Sequence, residues 1–359
     1  MKKILLVLVL GLSSSLFAQQ TVDEVINLNE VVISATRSEI NIEDSPIPTD
    51  VIGKKEIEQL NLITMQDLLQ TKGYFVAPMK SGGFQLRGLS SEYILVMIDG
   101  VPISGRESGA LDVSNINLAN VERVEIVKGS MSALWGNYAI GGVINIITKT
   151  DTKPTSSIIT QYGTAGTFLT GFTNSFTVGK VTNSFKVTYG GSDGFDIDDD
   201  IPGDNVLPNT LGNLSNKTIY RINNNNTLRF SANYFKKNSR GSSFTETNTQ
   251  GQLIPLESKN SSQNLILDLS YKTTSFGKFT NELKLSKSSF ENSNEASFQF
   301  FGQDVVRLDE SEQSILQLET INSYDWSTNN QTTFGFGYRG NMVNTERYGG
   351  EKDLSSSFA

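Results

Sequence analysis

The stretch from Thr167 to Val178 alternates between two chemistries. Phe168, Phe172, Phe176 and Val178 fall on one face, and Leu169, Gly171, Thr173, Ser175 and Thr177 on the other. Side chains of a β-strand point to opposite faces with a period of two, so this pattern predicts a strand with one apolar and one polar side. Gly179-Lys180 then turns the chain. The next segment sets Val181, Phe185, Val187 and Tyr189 against Thr182, Ser184, Lys186 and Thr188. The same pattern returns in Leu228 to Lys237, Leu265 to Thr273, Phe279 to Ser289, Leu316 to Trp326 and Thr332 to Met342. With weaker candidates near Ser156 and Lys217, about nine strands are expected over residues 151–359.

Short connections (Gly179-Lys180, Ser275 to Lys278, Ser327 to Asn330) alternate with long polar ones near 193–216, 238–262 and 292–313. Short turns at one end and long loops at the other are the layout of a bacterial outer-membrane barrel. The strands run to about ten to twelve residues, the length that a tilted bilayer crossing needs and longer than the usual five or six of globular strands. A secreted β-sandwich is thereby disfavoured. Tyr189, Tyr271, Tyr324, Trp326 and Tyr338 lie near ends of the apolar faces, as in aromatic girdles.

Residues 42–150 read differently, as a compact α+β domain. Ile57 and Leu60 mark one short helix, and Met65, Leu68 and Leu69 a second, which Thr64 and Asp67 are spaced to open as a capping box. The apolar runs Tyr93 to Ile98, stopped by Asp99-Gly100, and Val143 to Lys149 predict strands buried on both faces. At the N-terminus, Lys2 and Lys3 precede an apolar run from Ile4 to Leu12, then small residues to Ala18: a secretory signal peptide over residues 1–18. That run is too short for a membrane-spanning helix.

The chain contains no histidine and no cysteine, so the commonest catalytic and transition-metal ligands are missing, as is any disulfide. No constellation for catalysis, cofactor or metal stands out. The aspartates of Asp193 to Asp204 lack the spacing and terminal Glu of an EF-hand and read as a solvated loop. A net charge of −8 argues against nucleic-acid binding.

Two further stretches, "FQLRGLSSEYILVMIDGVPI" and "LANVERVEIVKGSMSALWGNYAIGGVINIITK", place Arg87-Gly88, Ile98-Asp99-Gly100, Val124-Glu125-Ile126, Lys128-Gly129, Trp135-Gly136 and Gly141-Gly142-Val143-Ile144-Asn145 in order. In this the chain resembles the TonB-dependent outer-membrane receptors over about residues 28–150, in wording nearest the cobalamin and catecholate-siderophore branch. The resemblance implies a transmembrane antiparallel β-barrel, incomplete here, with an N-terminal α+β plug domain inside it. It implies residence in the outer membrane, contact with its lipid, and a periplasmic N-terminus. The implied activity is import of a scarce nutrient such as a ferric siderophore, cobalamin or haem.

Within residues 19–41, Glu30, Val31, Val32, Ile33 and Ser34 lie where such receptors carry the TonB box. The periplasmic domain of TonB, driven by its inner-membrane complex, captures that segment by adding it as a strand to its own sheet. The resemblance assigns a plug-to-barrel latch to Arg87 and Lys128, facing barrel glutamates. It assigns ligand-facing loops to Pro78 to Phe84, with Met79, Lys80 and Ser81, and to Ser104 to Ala110, with Arg106, Glu107 and Ser108. A signalling receptor would need an extra folded domain before the TonB box, and a passive porin or adhesin would not need these plug motifs. Plugged transporters have about 22 strands. The chain is therefore expected to be the N-terminal part of a receptor.

Overall fold

The structure is a computed structural model that describes residues 31–38, 40–74, 84–107, 110–136, 138–150, 153–196, 204, 206–247, 253–300, 303–327, 330–345 and 350–358. The expected signal peptide lies outside them. The described chain opens with a minimal hairpin of β1 (Val31–Val32) and β2 (Ile40–Asn41), in which Val31 pairs with Asn41 and Val32 with Ile40. Strand β3 (Thr49–Gly53) leads into helix α1 (Lys54–Leu60), which ends at Asn61 in the left-handed region. Helix α2 (Met65–Thr71) starts with the expected capping box, Thr64 and Asp67 each bonding the other's backbone N–H.

The hairpin β4 (Gln85–Leu86) and β5 (Leu89–Ser90) turns at Arg87-Gly88. Strand β6 (Ile94–Ile98) is buried at all five positions and turns through Asp99-Gly100 into β7 (Val101–Pro102). Asp99 and Gly100 take φ of +49° and +75°, the pair of positive angles that a two-residue type I′ hairpin requires. A last small hairpin joins β8 (Arg106–Glu107) to β9 (Ala110–Leu111). Then come β10 (Val121–Lys128), the one-turn helix α3 (Ser132–Trp135) and β11 (Gly142–Thr148).

Five of these strands make one mixed sheet in the order β3-β10-β11-β6-β7. Its two faces are separate. Ile52, Ile94, Val96, Ile98, Val124, Ile126, Ile144 and Ile146 pack under α1 and α2. Leu95, Met97, Val127 and Val143 pack with Ala35, Met131 and Trp135 on the other side.

Ten strands follow in one antiparallel sheet, each beside its sequence neighbour. They are β12 (Thr155–Tyr162), β13 (Phe168–Val178), β14 (Val181–Ser192), β15 (Asn209–Asn223), β16 (Asn226–Thr247), β17 (Leu253–Ser275), β18 (Phe279–Phe300), β19 (Gln303–Ser327), β20 (Asn330–Thr345) and β21 (Gly350–Phe358). The sequence predicted about nine; the added strand is β21, which pairs with Gly337 to Thr345.

Two of the three expected long loops are corrected as well. Residues 238–262 and 292–313 are largely strand, paired from Asn238 with Ser261 to Phe244 with Pro255 and from Asn292 with Ser311 to Phe300 with Gln303. The sequence there is richer in polar residues and loses its clear alternation, while the backbone ladder continues. A true connection remains between Ser192 and Asn209.

The wall is apolar outside and polar inside, the reverse of a soluble sheet. Leu269, Leu285, Leu318 and Tyr338 sit opposite one another across four strands and are all exposed. The alternate positions Lys217, Ser231, Asn264, Asp268, Lys284, Ser286 and Gln317 are buried. An exposed apolar band over a buried polar face is the arrangement of a barrel wall in lipid. At its short-turn edge Trp326 packs edge-on to Tyr324 at 4.7 Å, in keeping with an aromatic girdle. The five-stranded domain lies against the polar face, where Phe235 and Ile266 of the wall join its core.

Replacing Leu269 by Arg on the lipid face should destabilise the protein by about 2–4 kcal/mol. Lys259→Ala, at an exposed ion pair with Glu295 beyond the band, should change stability by no more than about 1 kcal/mol. Urea unfolding in lipid bilayers measures both.

Candidate functional site

The polar face of the wall forces the domain beside it to offer polar partners, and the Asp99-Gly100 turn is where it does so. The Asp99 carboxylate lies 3.0 Å from Lys217 Nζ of β15. Lys284 Nζ of β18 donates to the Asp99 carbonyl at 2.8 Å. Thr148 of β11 donates to the carboxylate through both its N–H and its hydroxyl. Burial by itself raises the Asp99 pKa, but the Lys217 charge and the Thr148 bonds outweigh it and hold the carboxyl below the ordinary 3.8. Behind this anchor, Asp268 is buried between Lys284 at 3.6 Å and Arg229 at 3.8 Å.

A second attachment, made of neutral groups, lies further along the same strands. Ser104 N–H and hydroxyl reach the Ser288 hydroxyl at 3.0 and 2.9 Å, and Asn264 Nδ2 donates to the Ser104 carbonyl. Gln313 accepts from the Gly105 and Arg106 N–H groups and donates back to the Arg106 carbonyl. Gly105 has φ +113°, and a Cβ there would stand 2.6 Å from the Phe290 ring. Only glycine fits so close an approach.

These contacts bear on two expectations. The Arg106 guanidinium donates to the carbonyls of Ser91 and Ile94 of the inner domain, while Ser104 to Arg106 are tied to the wall through their backbone. The side chain of Glu107 and the residues Met79, Lys80, Ser81 and Ser108 lie outside what is described. Arg87 and Lys128 do not meet barrel glutamates among the described residues. Arg87 is exposed at the β4–β5 turn, and Lys128 pairs with Asp50 of the neighbouring strand β3. Two described contacts, Asp99 with Lys217 and Asp112 with Lys237, put the carboxylate on the inner domain and the ammonium on the wall, while Arg37 with Glu319 has the opposite polarity.

The N-terminal segment, where the resemblance places the TonB box, is paired and bonded within the chain. Glu30 lies outside the described residues, but Val31 and Val32 pair with Asn41 and Ile40, and Val32 is fully buried. Ser34 has every polar group engaged. Its N–H and hydroxyl donate to Glu125 Oε2 at 2.9 and 2.6 Å, and Ile33 N–H adds a third bond at 3.0 Å. Its hydroxyl accepts from Asn145 Nδ2 at 2.9 Å, and its carbonyl accepts from Trp135 Nε1 at 3.0 Å.

Glu125 and Asn145 sit directly opposite each other on β10 and β11, on the face otherwise made of Leu95, Met97, Val127 and Val143. Arg123 supplies the counter-charge to Glu125 at 2.7 Å. Three residues beyond Ser34, Arg37 lies over the Trp135 ring at 3.9 Å and pairs with Glu319 of β19 at 2.9 Å, both side chains buried. Ile33, Arg37, Asp99, Lys217, Lys284 and Glu319 all line one cavity of about 350 Å³ between the domain and the wall. The sequence reading missed the roles of Glu125, Asn145 and Asp99, although a carboxylate inside the apolar run Val124 to Val127 was a visible signal.

Residues 41–143 match the family model of the TonB-dependent receptor plug domain. The chain carries the plug of the TonB-dependent receptors. It is 39% identical over 158 residues to a vitamin B12 transporter BtuB of Photobacterium profundum, a match covering 41% of this chain and 25% of that protein. With BtuB of Vibrio cholerae it shares 37% identity over 124 residues, 33% of this chain and 20% of that protein.

The fold is similar to that of the ferric-catecholate import receptor Fiu of E. coli K12, with TM-score 0.64 and 12% identity over 83% of this chain and 50% of that one. It is equally similar to the siderophore receptor PirA of Acinetobacter baumannii, with TM-score 0.64 and 15% identity over 82% and 48%. The matches thus span a quarter or less of the BtuB relatives and about half of these solved receptors.

Replacing Lys217 by Met strands the Asp99 carboxylate in the plug–wall interface and should cost about 3–5 kcal/mol. Because the folded pKa of Asp99 is depressed, its stabilisation is fully present above the ordinary carboxylate range and is lost as pH falls through the folded value, below 3.8. Unfolding midpoints should therefore carry no Asp99 contribution to pH dependence between pH 7 and about 5, and show a fall at lower pH that Asp99→Asn reduces.

Proposed function

We propose that the protein is an outer-membrane receptor that imports a scarce nutrient by energy-coupled movement of its plug. The observation that carries this reading is a short strand, Val31–Val32, docked with Ser34 beneath a plug domain that itself lies against a lipid-facing β-wall. An outer membrane holds no ATP and sustains no ion gradient, so uphill import needs force delivered from elsewhere. A strand that, among the described residues, pairs with Ile40 and Asn41 alone is suited to that delivery. The periplasmic domain of TonB would take residues 30–34 as an added strand, the backbone giving affinity and the alternate side chains specificity.

On this reading the short turns of the wall and the N-terminus face the periplasm, and the longer strands β16 to β19 rise outward to meet the ligand. Cargo of the class of a ferric siderophore, cobalamin or haem follows from the relatives, which are named as vitamin B12 transporters, and from structural neighbours titled as ferric-catecholate and other siderophore receptors. The cavity beside Arg37 and Asp99 lies where withdrawal of the N-terminal segment would leave a path along the wall. Arg37–Glu319 and Ser34–Glu125 are the ties that such withdrawal must break first.

The chain has no cysteine, so Val32→Cys gives a single reporter. Paired with a cysteine in the periplasmic domain of TonB, it should cross-link in cells, more strongly when cargo is supplied. Val32→Pro should abolish uptake and spare cargo binding, since proline removes a ladder hydrogen bond. Undiminished uptake by the proline variant would overturn the reading.

A further inference from the structure

Asn145 makes two bonds in opposite directions. Its side-chain oxygen accepts from Gly100 N–H at 3.0 Å, and its side-chain nitrogen donates to the Ser34 hydroxyl at 2.9 Å. Asn145 is 2% exposed, and with Gly100 it lines the cavity between the domain and the wall. Gly100 belongs to the turn that Lys217 and Lys284 of the wall hold through Asp99. Four residues later the same chain forms the Ser104–Arg106 attachment. Ser34 belongs to the N-terminal segment, which Glu125 and Trp135 also hold. One amide thus stands between the wall-anchored turn and the segment proposed above to be pulled.

From this geometry we propose that Asn145 is a positioning residue that couples the Asp99-Gly100 turn to retention of the N-terminal segment, with Glu125 as the holder. The inference rests on the proposed function for its meaning and not for its test.

The physical argument is one of shared satisfaction. An asparagine amide has two donors and an oxygen acceptor, and in a buried site each unpaired group is costly. A shift of the turn that breaks the Gly100 bond takes from the Asn145 oxygen the donor it has in the resting structure. The amide then gains by reorienting, and reorientation removes its bond to Ser34. Ser34 is left on Glu125 and Trp135 alone, so the segment opens more often. The coupling runs both ways: loss of the segment also loosens the turn. Contact alone does not establish such a path, and a double-mutant cycle does.

The test uses Val32→Cys, at a buried position in a chain without cysteine, and reads its rate of maleimide labelling in outer-membrane preparations without added cargo. Lys217→Met disturbs the turn from the wall side. Asn145→Leu removes both amide bonds at similar volume. Lys217→Met should raise labelling roughly two- to tenfold in the Asn145 background, the range of one lost hydrogen bond. It should add nothing once Asn145→Leu is present. Glu125→Gln should raise labelling in either background.

If Asn145→Leu fails to fold, Asn145→Asp replaces it. The new carboxylate keeps the acceptor for Gly100, loses the donor to Ser34, and faces Glu125, so it should free the segment by itself. An equal effect of Lys217→Met with and without Asn145, or no effect with it, would overturn the proposal. The readout does not involve TonB, so failure of the TonB cross-link would sink the importer reading and leave this result standing, and the reverse also holds.

Discussion

A β-wall that faces lipid must put its apolar side chains outward, and period-two alternation then leaves a polar face within. Everything else in this protein answers that constraint. Lys217, Lys284 and Asp268 cannot be buried beside an apolar domain without a large desolvation cost, so the domain that fills the lumen side supplies matched groups at defined heights. The charged match is the Asp99-Gly100 turn, and the neutral match is Ser104 to Arg106 against Ser288, Asn264 and Gln313. The five-stranded sheet between them is conventional, with two apolar faces and a capped helix pair.

One place breaks the apolar rule inside that sheet. Glu125 and Asn145 face each other across β10 and β11 among Leu95, Met97, Val127 and Val143. A buried carboxylate is tolerated only where it is paired and hydrogen-bonded. Arg123 supplies the charge, and the backbone and hydroxyl of Ile33 and Ser34 supply the bonds. The N-terminal segment therefore satisfies a need of the plug at the same time as the plug holds the segment. Arg37, over Trp135 and against Glu319, extends the same logic to the wall. The segment is retained by these polar bonds together with the buried side chains of Val32 and Ala35.

Much of the architecture was legible in the residues. The faces of Thr167 to Tyr189 could be assigned one by one, as could the Thr64–Asp67 box and the buried run Ile94 to Ile98, because each depends on spacing within a single element. Strands beyond the lipid band were not legible: between Asn238 and Ser261 the sequence is mostly polar and carries no clear period-two alternation. The backbone tie of Arg106 to the wall was hidden because it is made with Gln313, more than two hundred residues away. Glu125 and Asn145 were quoted as motif residues with no role, since only the β10–β11 register brings them opposite each other and only the fold brings Ser34 onto both. The Asp99 anchor was missed because resemblance pointed to positive plug residues, while this wall carries the lysines itself.

Hydrogen exchange of the backbone in the resting protein, within native outer-membrane vesicles, tests the account most directly. If the N-terminal segment is held by Glu125, Asn145 and Trp135, the amides of Ile33 and Ser34 should exchange as slowly as the edge strand Thr49 to Gly53. Exchange at the rate of an unstructured tail would contradict it, because the segment would then be free before any partner arrived.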